Sequence, residues 1–312
     1  MKNWLLFVMM TATVSVSVRS EEPHHAIVDD AWQGVHGYHF SGRLTEVHPG
    51  PGKDSGRLAS LYRNTRLLFA SGEEGVVTWK VADYEWSVRA DEHGYWEMVA
   101  SQLLGLAPGW HEIESEPVAS SKAGFLVADP RNAVGLISDI DDTILVSEVL
   151  SKQSLLKNSL TVPPEQRAAV PAMAALYGRL LKANPAPEAS AVFYLSTTPR
   201  QLTDNLRRFL QANGFPRGVL QLREILSENS DSNGGNEDYK TRRIERILGA
   251  FPQTRFHFFG DDAERDPEIY AEVLAKHPGQ VAGIWIRRIN PAAQRPVYAG
   301  EHDVRELLEA AK

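Results

Sequence analysis

The chain has 312 residues, 43% of them hydrophobic and 23% charged, an ordinary globular composition that allows one large or two ordinary domains. A formal charge of -7 excludes bulk electrostatic attraction to nucleic acid or to anionic membranes. Cysteine is absent, which excludes disulfides, thiolate metal sites and a thiol nucleophile.

In chain order, residues 1–20 have the pattern of an export signal. Lys2 is followed by an apolar core from Trp4 to Val18 and by the small-residue cleavage site Val18-Arg19-Ser20. That core is shorter than the ~20 residues that span a bilayer, so the expectation is a cleaved signal and a periplasmic or secreted protein, with an uncleaved anchor as the alternative. Residues 21–34 read as a polar, irregular leader. Residues 35–128 read as a small antiparallel β-sandwich, from short β-prone runs at Tyr38–Thr45, Gly75–Val81, Glu85–Ala90, Tyr95–Val99 and Phe125–Ala128. Asp91-Glu92-His93-Gly94 reads as a hairpin loop and His48–Gly56 as a Pro/Gly-rich loop.

Residues 129–312 change texture to strands alternating with helices, the pattern of an α/β domain with a mostly parallel sheet. Strands are expected at Ala133–Ser138, Ala191–Ser196, Val219–Arg223, Arg255–Gly260 and Val281–Arg287. Helices are expected at Pro171–Ala183, Arg200–Ala212, Tyr239–Ala250, Pro267–Lys276 and Asp303–Ala311. Ser227–Asp238 has no apolar residue and reads as a mobile loop leading to Lys240.

Four segments bear chemistry. The run Gly135–Leu145 ends an apolar strand in Asp139, Asp141, Asp142 and Thr143. Carboxylates this close need a compensating cation. An EF-hand loop from Asp139 is excluded, because Ile144 and Leu150 stand where it needs Gly and Glu. Arg255–Asp266 again runs an apolar strand into Asp261, Asp262 and Asp266. Ligands in open α/β sheets bind beyond the carboxyl ends of the strands, so the two acidic ends are expected to build one pocket. Ala191–Arg200 ends in Ser196, Thr197 and Thr198 before Pro199, a hydroxyl-rich helix start suited to a phosphate. Lys240 opens the following helix. Taken singly, these are also ordinary acidic turns, helix N-caps and a surface lysine; their order along the chain is what carries information.

That order, in SDIDDTI, LSTTP, YKTRRI and GDDAERDPEIY, resembles the haloacid dehalogenase superfamily. Within it, the chain is similar to the subgroup of the actin-patch-associated phosphatidate phosphatase and its exported bacterial relatives, over residues 133–290. The resemblance implies a Rossmann-like, haloacid dehalogenase-like sheet. It implies a phosphate monoester hydrolase with Asp139 as nucleophile, forming an aspartyl-phosphate, and Asp141 as general acid and base. It also implies Mg²⁺ held by Asp139, the backbone carbonyl of Asp141, and Asp261, with Asp266 supporting the metal or orienting Lys240 and Asp262 helping in either role. Ser196, Thr197 and Lys240 would then bind the phosphoryl oxygens. Against the subgroup pattern, Ala172 stands where Gly is usual, Asp262-Ala263 where Ser-Gly is usual, and Arg200 where an aromatic is common.

The implied substrate is a phosphorylated small molecule or a phospholipid, with transient membrane-surface contact in the lipid case. Leu155, Leu156 and Leu160, flanked by Lys152 and Lys157, are candidates for an apolar lip, or for an ordinary packed segment. Nucleic acid is not an expected partner, and no protein partner is indicated. A phosphatase of soluble monoesters and a non-enzymatic protein binding through its β domain are the competing readings.

Overall fold

A computed structural model describes residues 25–46, 56–119, 122–146, 161–224, 235–289 and 295–309. The export signal, most of the Pro/Gly-rich loop, the apolar-lip residues 152–160 and most of the polar loop before Lys240 lie outside them.

Among the described residues, the N-terminal part has nine strands: β1 His25–Val28, β2 Ala31–Gly34, β3 Gly37–Thr45, β4 Gly75–Val81, β5 Tyr84–Ala90, β6 Tyr95–Ala100, β7 Gly109–Glu112, β8 Glu114–Glu116 and β9 Gly124–Val127. One sheet runs β1-β3-β2-β9-β7, with β6 also on β3, and a smaller one runs β5-β4-β8. Most pairs are antiparallel, but β2 and β9 are parallel, so the larger sheet is mixed. Aromatic rings fill the space between: Phe40 stacks on Trp79 at 3.5 Å, and Trp79 on Trp86 at 4.2 Å.

Two differences from the sequence reading stand out. Residues 25–34, expected to be an irregular leader, form β1 and β2 and are almost entirely buried. A helix, α1 Arg57–Leu68, interrupts the strands where none was expected. Its buried face is Ser60, Arg63, Asn64 and Leu67, so the usual apolar-inward periodicity is inverted.

The C-terminal part is a six-stranded parallel sheet of β10 Val134–Asp139, β11 Val192–Pro199, β12 Val219–Arg223, β13 Arg255–Asp261, β14 Val281–Arg287 and β15 Glu301–Asp303. The order is β12-β11-β10-β13-β14-β15, every neighbour parallel. The helices are α2 Met173–Leu181, α3 Thr203–Ala212, α4 Gly235–Ala250, α5 Asp266–Lys276 and α6 Val304–Glu309. Alternation along the strands sends side chains to opposite faces. Leu136, Val192, Tyr194 and Phe259 pack with α2, α3 and α6. Ile137, Phe193, Leu195 and Phe258 pack with α4 and α5. Such two-sided cover explains the continuous apolar runs in the sequence. The chain winds outward from β10 to β12, then reverses to β13 on the other side of β10. Ligand sites in open sheets lie at such a reversal.

The two parts share a core. Trp32 of β2 and Leu126 of β9 belong to the cluster around α4 and α5, with Trp32 6.0 Å from Phe193 and 5.8 Å from Phe251.

At the start of α2, Ala172 has φ +65°, in the left-handed region. That conformation costs a residue with a Cβ roughly 1–2 kcal/mol, and Gly is usual there in the subgroup the sequence resembles. Ala172→Gly is therefore expected to stabilise the protein. Part of the relief is lost to the greater freedom of Gly in the unfolded chain, leaving a net gain of about 0.5 kcal/mol. Urea denaturation midpoints of the two proteins check this.

Candidate active site

Asp139 ends β10 and Asp261 ends the neighbouring strand β13. Parallel pairing in register, with Ser138 opposite Phe259, brings both carboxylates to the same edge. Asp266 opens α5 and joins them, and the three can offer oxygens that all lie within 4.8 Å of one another. Gly260 makes this possible: a Cβ there would sit 2.5 Å from the Cβ of Asp266 and 2.6 Å from its Oδ2. All three aspartates are buried.

Lys240, 2% exposed near the start of α4, reaches into this cluster. Its Nζ donates to Asp139 Oδ1 at 2.8 Å, Asp266 Oδ1 at 2.6 Å and Glu264 Oε2 at 3.4 Å. Burial alone would lower the lysine's pKa, but Asp139 and Asp266 hold it well above its usual value. The lysine is therefore a fixed cation.

One cation does not balance the acids. Burial, reinforced by Asp266 and Asp261, drives Asp139 well above the usual carboxylate range despite Lys240. Burial and Asp266 push Asp261 up to about 8, and burial likewise raises Asp266. Asp139 Oδ2 is buried and has no hydrogen-bond partner among the described residues. A second, mobile positive charge would relieve all three carboxylates. An orphaned carboxylate oxygen within a cluster of hard oxygen donors fits a divalent cation.

The turn after β13 orients Asp261. Its Oδ1 accepts the N–H of Ala263 at 2.6 Å and of Glu264 at 3.3 Å, and Thr143 Oγ1 donates to its Oδ2 at 3.5 Å. Asp266 Oδ2 in turn accepts the N–H of Asp261 at 3.3 Å. Beneath Asp139, Ser138 Oγ donates to the Asp139 carbonyl at 2.6 Å and contacts the Tyr177 hydroxyl at 2.8 Å.

Asp141 stands apart from the cluster. Its Oδ2 accepts from Ser196 Oγ at 2.9 Å and Thr198 Oγ1 at 3.4 Å. Burial raises its pKa, opposed by the positive charge of Arg167. Ser196, expected to face phosphate, thus holds the Asp141 side chain and also caps the N–H of Thr198 at 3.0 Å. Thr197 is partly buried and stands outside these hydrogen bonds.

Asp262 is not brought into the cluster. Its Oδ1 accepts the N–H of Ile289 at 2.8 Å, and its Oδ2 lies 3.9 Å from Arg288. Consecutive residues leaving a strand point to opposite sides, so Asp262 ties down the end of β14 while Asp261 enters the pocket. Sequence reasoning missed Glu264 and Arg167. Glu264 lies inside the GDDAERD run and was open to the same argument as its neighbours. Arg167, in PPEQR, carries no local signal.

The end of β11, which bears Ser196, is braced by the β part. Arg200, 3% exposed, lies 3.1 Å from Asp29 and 3.0 Å from Glu224, and its guanidinium sits 5.7 Å from the Tyr95 ring centre. Burial would lower its pKa, but Asp29 and Glu224 more than offset this and hold it above its usual range. The departure of Arg200 from the subgroup's aromatic thus has a local counterpart in Asp29.

Together these features define a parallel α/β domain with a carboxylate–lysine centre at its carboxyl edge, suited to a divalent cation. Residues 134–288 match the model of the family described as "Phosphatidate phosphatase APP1, catalytic domain". The chain is 30% identical over 157 residues to phosphatidate phosphatase APP1 of Saccharomyces cerevisiae, covering 49% of this chain and 26% of the yeast protein. It is 25% identical over 172 residues to an uncharacterized protein of Schizosaccharomyces pombe, covering 51% and 26%. Residues 134–288 thus match the catalytic domain of the APP1-type phosphatidate phosphatases. The chain spans about a quarter of the length of these curated relatives. Among solved structures, one titled "Structure of Pnkp1/Rnl/Hen1 complex" is similar at 15% identity and TM-score 0.33, over 56% of this chain and 48% of that one; a score this low bears on neither fold nor function.

Proposed function

We propose that the chain is an exported, Mg²⁺-dependent phosphatase of the haloacid dehalogenase type, hydrolysing phosphatidate through an aspartyl-phosphate. The observation that carries this is the convergence of Asp139, Asp261 and Asp266 on one point beside buried Lys240.

The roles follow from the environment of each oxygen. Lys240 neutralises the Asp139 carboxylate from Oδ1, and with the cation in place one Asp139 oxygen would face the metal while the other attacks phosphorus. As the ester P–O bond breaks, the leaving oxygen takes a proton from Asp141. The raised pKa of that carboxyl favours its carrying one. Asp141 then takes a proton from water, which attacks the phosphorus of the acyl phosphate, frees inorganic phosphate and restores Asp139. Ser196 and Thr198 keep Asp141 aimed throughout. Mg²⁺ bound by Asp139 and Asp261, with Asp266 in support, would neutralise the pocket and stabilise charge on the phosphoryl oxygens. Without that neutralisation an anionic substrate would meet clustered carboxylates.

A phosphate-release screen tests the reading. Phosphatidate in mixed micelles and a panel of soluble monoesters are compared with Mg²⁺ and with chelator. The expected result is Mg²⁺-dependent release that is fastest from phosphatidate. Preference for soluble monoesters would move the substrate to that class. No release from any compound would favour a binding protein working through the β part.

A further inference from the structure

Helix α1 is packed inside out. Its inward face is polar apart from Leu67: Arg63 hydrogen-bonds Asn205, and Asn205 Nδ2 donates to Asn64 Oδ1 at 2.9 Å. Its outward face carries Leu58 at 83% exposure, Leu61 at 37% and Tyr62 at 67%, and Phe69 follows at 81%. Four of the ten large apolar side chains exposed among the described residues thus fall within one stretch of 12 positions, Leu58 to Phe69. A solvent-facing helix has no reason to present Leu, Tyr and Phe outward and bury Arg and Asn, unless something apolar meets that face.

The charge on the helix itself has one sign. The helix, RLASLYRNTRLL, contains three arginines and no acid. Arg57 and Arg66 are exposed, and the Arg66 guanidinium lies 5.7 Å from the centre of the Tyr62 ring. Leu, Tyr and Phe flanked by Arg suit a layer whose interior is hydrocarbon and whose surface is anionic. The location agrees. α1 packs on the turn Arg200–Leu202, which directly follows the end of β11 carrying Ser196 and Thr198. Arg63 is also 3.4 Å from Asp204 in the first turn of α3.

We infer that the outward face of α1 is an interfacial docking surface. Leu58, Tyr62 and Phe69 would insert among acyl chains and Arg57 and Arg66 would lie against phosphate headgroups, holding the active site at an anionic lipid surface. This rests on the lipid-substrate reading above and adds how that substrate is reached. It also reconciles a negative protein with an anionic surface, because attachment uses one local patch rather than net charge.

The test separates docking from catalysis. Wild type, a triple Leu58→Ser, Tyr62→Ser, Phe69→Ser variant and a double Arg57→Gln, Arg66→Gln variant are compared by co-sedimentation with phosphatidylcholine vesicles, with and without phosphatidate. The same proteins are assayed on vesicle phosphatidate and on a short-chain phosphatidate below its micelle concentration. The triple variant should bind vesicles at least ~10-fold more weakly. Its hydrolysis of vesicle substrate should fall in parallel while turnover of the monomeric substrate stays unchanged. The arginine variant should lose the preference for phosphatidate-containing vesicles. Equal vesicle binding by wild type and the triple variant would overturn the inference, as would a wild-type dimer that the triple variant dissolves without any change in lipid binding. Failure of the enzymatic reading looks different: no hydrolysis of either substrate, with the binding comparison still readable.

Discussion

Replacing Asp139 by Asn is expected to lower phosphate release by about 10⁴-fold or more, because it removes the attacking oxygen itself. The fold should survive. Asp139 is buried with Asp261 and Asp266, and each of the three is held above its usual pKa chiefly by burial. Removing one charge eases that crowding, and Lys240 keeps its 2.6 Å bond to Asp266. In chelator, the melting temperature of Asp139→Asn should equal or exceed that of wild type. A phosphate-release assay paired with thermal melts checks both halves. Activity within tenfold of wild type would remove Asp139 from the nucleophile's role.

Lys240→Met is expected to act in the opposite direction on stability. It strands Asp139 and Asp266, both buried, without the ammonium that bonds them. Leaving a buried charge unpaired costs about 3–5 kcal/mol, and the loss should appear as a lower urea midpoint in chelator. Mg²⁺ should restore part of that stability by taking over the neutralisation, while phosphate release stays depressed by roughly 10³-fold. Lys240→Arg should not rescue activity, since one compact ammonium reaches three carboxylates and a planar guanidinium does not fit the same point. Equal midpoints for wild type and Lys240→Met in chelator would contradict the assigned ion pairs.

The opposite stability effects of these two substitutions arise from one fact about the pocket: it holds more acid than base. Much of that was legible in the sequence. Apolar strands covered on both faces read as continuous runs, so the positions of β10 to β14 and of the five α-helices named above among the described residues could be placed. The two acidic strand ends could then be matched by the general rule that ligands collect at the carboxyl edge. Pairing of β10 with β13 is the topological fact that joined them.

What the sequence hid depends on partners far along the chain. Asp29 and Asp30 make residues 25–34 look like a solvated leader. They are buried because Arg200 and Arg207 pair with them at 3.1 Å each, and no local pattern announces such partners. Helix α1 was illegible for a related reason. Its anchors are Arg63 and Asn64 bonded to α3, so its apolar spacing points the wrong way for a core helix. Asp262 looked equivalent to Asp261 because adjacent residues share one composition. Only the direction in which each leaves the strand separates a pocket carboxylate from one that binds Ile289 and Arg288.

Manganese anomalous scattering from crystals of this protein tests the cation centre most directly. A single strong peak should lie about 2.2 Å from carboxylate oxygens of both Asp139 and Asp261, and it should vanish in Asp261→Asn. Manganese bound only elsewhere on the surface, with Asp139 and Asp261 sharing no ion at saturating metal, would contradict the account.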